Sequence, residues 1–243
     1  QANKTYADKT PSTTRHIHPI VHNLNSRTRR HRLADAKRIT NAKTARAAPK
    51  RRTPSRTLDG FLMLEAAAVD DPDDARRVVL EGCQIRSAQP EDLAYFGKLT
   101  HLDLGDNALP FASLAHLPAL RELHLDCNGL VHAAVPTGGF PALEVLNLAF
   151  NGLSPPSIRA LASLPRLRHL DLSHNGLEAL PDDWSRFASL ERLDASHNQL
   201  ADGHVLEALS TAPRLVQLDL AHNAIDVLSL PEGAPAAAIA HLS

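Results

Sequence analysis

The chain has 243 residues, a net charge of −1, two cysteines and only 4% aromatic residues. No apolar run approaches the roughly 20 residues needed to cross a bilayer, and two cysteines do not make a disulfide framework, so membrane-spanning helical and disulfide-stapled classes are set aside. The near-neutral total conceals two opposite halves: residues 1–57 hold 15 Lys+Arg against 2 Asp+Glu, and residues 58–243 hold 11 against 25. Such a split describes a basic arm joined to an acidic body.

Residues 1–57 are poor in apolar side chains and carry prolines at 11, 19, 49 and 54. A segment of this composition does not bury a core of its own and is expected to be extended, or disordered when free. Its cationic clusters, Arg27, Arg29, Arg30, Arg32, Lys37, Arg38, Lys50, Arg51 and Arg52, are the candidate contacts to an acidic partner, either protein or nucleic-acid phosphate. A targeting peptide has a similar Arg-rich, acid-poor composition. Tyr6 is the arm's one aromatic residue, which gives base stacking little support. Residues 58–74, "LDGFLMLEAAAVDDPDD", predict a short apolar helix and then an acidic turn, a cover for the open end of a stack of coils.

From Ala75 the chain repeats itself. "LTHLDLGDNAL" starts at Leu99, "LRELHLDCNGL" at Leu120, "LEVLNLAFNGL" at Leu143, "LRHLDLSHNGL" at Leu167, "LERLDASHNQL" at Leu190 and "LVQLDLAHNAI" at Leu215, with a degenerate copy, "ARRVVLEGCQI", at Ala75. Successive starts are 24, 21, 23, 24, 23 and 25 residues apart. Copies at this period mark a solenoid of stacked coils, none of which buries its leucines unaided. Within a copy, leucines two apart on a short strand point to one face. Asn107, Asn128, Asn151, Asn175, Asn198 and Asn223 recur at the bend after the strand, where an amide can satisfy turned backbone groups between coils. Cys83 takes that slot in the first copy, and Ala195 replaces an inward leucine in the sixth, which predicts a slightly thinner coil.

Between strands, "SPPSIRALASLP", "PDDWSRF" and "HVLEALSTAP" place apolar residues at helical spacing and predict short helices or 3₁₀ turns on the convex side. Trp184 is read there as core. Residues 226–243, "VLSLPEGAPAAAIAHLS" with its preceding Asp226, read as an incomplete repeat or cap.

This pattern resembles the leucine-rich repeat family over about residues 75–225. The resemblance implies an α/β, right-handed solenoid with short parallel strands on its concave face, preceded here by the extended basic arm. A narrower likeness, carried by "LDGFLML", "CQIRSAQPEDLAYFGKLTHLDLGDNALPF" and "GFPALEVLNLAFNGLSPPSIRALASLPRLRHLDLSHNGLEALP", is to the X-ray radiation resistance-associated proteins. More broadly the repeats are similar to SDS22-like and ciliary intracellular types, which are non-enzymatic adaptors.

Strand residues alternating with the leucines face outward. On that face His124, Asn147, Phe150, Asp171, His174, Asp194, His197, Asp219 and His222 are the candidate partner contacts. His174, His197 and His222 form a column that could hold a metal, but the same residues are common on repeat surfaces, and no metal or other cofactor is expected. There is no phosphate loop, nucleophile elbow or Cys-x-x-Cys pair, so no enzyme activity and no small-molecule substrate are expected. The expected role is a protein-interaction scaffold in a large intracellular, cytoplasmic assembly, with the ciliary axoneme favoured and tubulin or other axonemal proteins as partners. The alternatives are a nucleic-acid-associated component, with the nucleus as its compartment, and an adaptor of an enzyme such as a phosphatase.

Overall fold

The computed structural model describes residues 56–201 and 204–225, all within the second of two compact units, Arg51–Ser243. The arm cations from Arg27 to Arg52 and the segment 226–243 lie outside the described residues.

The elements run in chain order as β1 (Arg56–Leu58), α1 (Gly60–Ala67), a 3₁₀ turn (Pro72–Asp74), β2 (Arg77–Val79), β3 (Ile85–Ala88) and α2 (Pro90–Leu93). Next come β4 (His101–Asp103), a second 3₁₀ turn (Phe111–Leu114), β5 (Glu122–His124) and β6 (Val145–Asn147). The last are α3 (Pro155–Leu161), β7 (His169–Asp171), β8 (Arg192–Asp194), α4 (Val205–Ser210) and β9 (Gln217–Asp219). Seven strands form one parallel sheet in the order β2-β4-β5-β6-β7-β8-β9, so each coil pairs with the coil next to it in sequence. Registers are regular throughout: Leu102, Leu123, Leu146, Leu170, Leu193 and Leu218 are cross-strand partners one after another. The leucines point inward and are buried, and the residues on either side point out.

Each coil closes its core from the other side with the segment between strands. Pro155 and Pro156 start α3, where the missing N–H costs nothing, and Ile158 and Leu161 are buried from it. α4 buries Val205, Leu206 and Leu209. Phe111 and Phe140, from adjacent inter-strand segments, stack at 4.7 Å between centroids. The segment "PDDWSRF" departs from expectation, for it is neither helical nor 3₁₀. Asp183 accepts a hydrogen bond from the Ser185 N–H at 2.8 Å, a local turn that competes with the helical ladder. Trp184 is nonetheless core: it is fully buried, donates Nε1–H to the Pro181 carbonyl at 2.9 Å and stacks on Phe187.

At the N-terminal end of the described residues, α1 packs into the same core as the coils. Asp59 accepts the Leu62 N–H at 2.8 Å and so starts α1, which buries Leu62 and Met63. β1 pairs in parallel with β3 in a separate two-stranded sheet. Arg56 and Thr57, counted with the arm on charge alone, therefore belong to this N-terminal segment, and the Thr57 and Ser87 hydroxyls meet at 2.9 Å. No helix among the described residues is long and apolar enough to cross a membrane.

Candidate partner-binding face

The sheet's outward face is held in place by the asparagines at the bend behind it. In Asn175, Nδ2 donates to the carbonyls of Leu172 and Ser173 in its own coil and Leu148 in the preceding one, while Oδ1 accepts the Leu153 N–H. Asn107, Asn128, Asn151, Asn198 and Asn223 repeat this arrangement, each bonding the coil before it. Turned backbone that would be buried without partners is thereby satisfied between coils. Cys83, in the same slot of the first coil, packs against the core and makes a long Sγ contact to the Glu81 carbonyl at 3.6 Å.

The residue before each asparagine takes a left-handed backbone conformation: Asp106, Cys127, Phe150, His174, His197 and His222 have φ between 54° and 58°. An L-residue there costs roughly 1–2 kcal/mol. The geometry is stabilised because its N–H reaches the next coil: Phe150 N–H donates to the Ser173 carbonyl at 3.0 Å, His174 to Ser196 and His197 to Ala221. It also turns the side chains out along one edge of the sheet. Phe150, His174, His197 and His222 stack face to face with centroids 4.0, 4.2 and 4.1 Å apart and interplanar angles of 10°, 10° and 22°. Imidazole lone pairs lie in the ring plane, so near-parallel rings do not aim them into a common point between the rings. Phe150 thus neither stands free nor folds into the core; it is half-buried and ends an aromatic ladder.

The aspartate column has a structural duty that spacing alone does not reveal. Asp171, Asp194 and Asp219 each accept, through Oδ1, the N–H two residues on (Ser173, Ser196 and Ala221) at 2.9 Å. Asp103 and Asn147 do the same for Gly105 and Ala149. These side chains cap the strand exits. Burial raises the Asp171 carboxyl above the ordinary aspartate range; the Ser173 hydrogen bonds oppose this, and the nearby Asp194 and Asp126 charges add to it.

His124 occupies the same column and behaves differently. Its Nε2 meets Glu122 Oε1 at 2.8 Å, and the other carboxylate oxygen meets His101 Nδ1 at 2.8 Å. Asn147 Nδ2 lies 3.5 Å from His124 Nδ1. His101 and Glu122 are register partners on β4 and β5, and Glu122 and His124 are two apart on β5, so all three share the outward face. All are half-buried. Burial alone would raise the Glu122 carboxyl, but hydrogen bonds from His124 and His101, with their charges, hold it below the ordinary glutamate range. His101 Nε2 is buried without a hydrogen-bond partner. Of this cluster, the sequence singles out only His124 as a partner contact.

Just before the strands, Arg121 pairs laterally with Glu144 at 3.4 Å, and Arg168 with Glu191 more tightly. Arg168 makes a forked contact with Glu191, with N–O distances of 2.8 to 3.0 Å. Burial, together with Arg192 and Arg168, lowers the imidazole value of His169 against the opposing Glu191 and Glu144 charges.

Comparison with known proteins agrees with this geometry. Residues 139–200 match the family model described as leucine rich repeat. A stretch of 101 residues is 30% identical to X-ray radiation resistance-associated protein 1 of Mus musculus, covering 42% of this chain and 13% of that protein. The human 5T4 structure (Wnt-activated inhibitory factor 1, trophoblast glycoprotein) matches with a TM-score of 0.53 and 28% identity, over 69% of this chain and 66% of that one. The mouse RP105/MD-1 complex contains a chain that matches with a TM-score of 0.51 and 26% identity, over 63% of this chain and 27% of that one. The matches therefore span less than two thirds of each of these relatives. Proteins with such repeats are typically non-enzymatic interaction modules. The coil period, the in-register parallel sheet, the asparagine ladder and these matches agree: the chain is a leucine-rich repeat protein.

Proposed function

We propose that this protein is a non-enzymatic scaffold of the ciliary axoneme, gripping a protein partner on the outward face of its sheet and reaching an acidic partner, tubulin or a neighbouring axonemal protein, with its basic arm. The observation that supports this most is the character of the face. Seven strands in strict register form a platform whose shape is fixed from behind by hydrogen bonds between coils. A face stiffened in this way loses little conformational entropy when it binds a large partner. The charge split adds a second anchor, with 15 Lys+Arg against 2 Asp+Glu in residues 1–57. The ciliary assignment leans on the similarity of the repeats to intracellular ciliary types, and the cytoplasmic location goes with it.

Co-sedimentation of the full chain with isolated axonemes tests the proposal. The intact protein is expected to pellet with axonemes, and a chain lacking residues 1–57 to pellet more weakly. Equal retention of both would remove the arm from the reading, and no retention of either would reject the axonemal assignment. The arm's charge also favours a second reading, binding to RNA or DNA phosphates. That reading predicts affinity that falls steeply with salt and release of the protein from axonemes by added RNA.

A further inference from the structure

We propose that His101, Glu122 and His124 form a binding site for a single zinc-class divalent cation on the outward face of the sheet. Among the described residues, these are the three side chains of metal-ligating type whose donor atoms come within 4.8 Å of one another. They offer two imidazole nitrogens and a carboxylate, the donor set that suits zinc with one coordination position left open.

The backbone presets this arrangement. His101 and Glu122 sit opposite each other on adjacent parallel strands, and His124 comes two residues after Glu122. Three donors therefore come from two strands whose spacing is fixed by their ladder. The coil of β5 is also where the repeat's usual use of this column is suspended. In the coils of β4, β6, β7, β8 and β9 the equivalent side chain caps the strand exit, whereas the His124 imidazole turns to Glu122 instead.

Without an ion, the two imidazoles grip the carboxylate at 2.8 Å on each side. Zinc bonds of about 2.0–2.1 Å in tetrahedral geometry place neighbouring donors roughly 3.3 Å apart. Each imidazole meets a different carboxylate oxygen, so one ion requires those two edges to open by about half an ångström and the donor atoms, all within 4.8 Å of one another, to draw in around it. Each donor is half-buried, which leaves a path for entry while lowering the competing hydration of the carboxylate. The histidine column at the sheet edge, although more conspicuous in the sequence, is stacked plane to plane and offers no such convergence. The open coordination position would face whatever docks on the sheet.

Titration of the metal-free full chain with zinc alone, followed by calorimetry and by the thermal unfolding midpoint, tests the site. Saturable binding of one ion and a raised midpoint are expected. Glu122→Gln, nearly isosteric, and His124→Asn are each expected to weaken this binding by about a hundredfold or more, since even outer-shell losses reach 10–100-fold, and to abolish the midpoint shift. His174→Asn with His197→Asn should leave both unchanged. No saturable zinc binding would overturn the proposal, as would binding that survives Glu122→Gln or is lost with the His174/His197 pair. Should His124→Asn fail to fold, Glu122→Gln decides alone, because it removes the charge and preserves the volume.

Discussion

The asparagines show how much a single side chain can hold in a stacked fold. Removing the Asn175 amide would leave the buried Leu153 N–H without its acceptor, and would take one of two donors from the carbonyls of Leu148, Leu172 and Ser173, which keep Asn151, Asn198 and the Phe150 N–H. A buried N–H left unpaired costs about 1–3 kcal/mol, so Asn175→Ala is expected to lower unfolding stability by about that much in chemical denaturation. Asn223→Ala, at a half-buried position in the last described coil, should cost clearly less; equal losses would argue against a ladder that works by satisfying buried groups. Asp171 allows a test with a defined sign. Because burial raises its folded-state value, its contribution is most favourable below the ordinary aspartate range and is lost as pH rises through that raised value. Asp171→Asn keeps the Oδ1 acceptor for Ser173 and removes the charge. It should therefore be more stable than the parent at neutral pH, with the advantage closing below about pH 4. A difference that does not change with pH would place its origin elsewhere. The residue scale is also where the sequence is least legible. Repetition draws attention to the histidine column, whereas the cluster of His101, Glu122 and His124 occurs once. Its members are readable as strand neighbours, but which way a glutamate leans between two imidazoles is decided by packing and local hydrogen bonding. The aspartate caps leave a usable signal, an acidic residue two positions before the N–H it binds, which spacing alone presents only as an exposed column.

At the scale of elements, the seven main-sheet strands are legible because the aliphatic spacing alone fixes where a three-residue strand can lie. The convex segments are less so, because a helical apolar stripe and a turn that buries two aromatics share the same spacing. α3 and "PDDWSRF" illustrate the two outcomes. Two prolines open a helix in the first, and in the second Asp183 diverts the backbone into a turn. The N-terminal segment is legible as a helix and an acidic turn, but not as a strand pairing, since β1 and β3 are short and lie outside the repeat period. If α3 closes its coil as its burial indicates, Ile158→Ala should cost about 2–5 kcal/mol by denaturant unfolding, although α3 contributes nothing to the sheet. A loss below about 1 kcal/mol would mean that the convex segments are dispensable covers.

In the molecule as a whole, different residues hold the platform and furnish its surface. Leucines and asparagines commit their side chains to the neighbouring coil, and the aspartates commit one oxygen each to the strand exits. Of the outward positions that carry no such duty, Arg192 and Gln217 on β8 and β9 are exposed and free to define a partner. This division explains why the fold can be read from the chain while the partner cannot: the repeat constrains the inward residues through shared packing, and the outward ones answer only to something outside the chain. The most direct test of the sheet face as the gripping surface compares two full-length variants in axoneme co-sedimentation, Arg192→Glu with Gln217→Glu on the sheet face and Arg159→Glu on the exposed convex side of α3. The sheet-face variant, still folded by circular dichroism, is expected to lose retention while the convex variant keeps it; retention that survives the first change and fails with the second would contradict a sheet-face grip.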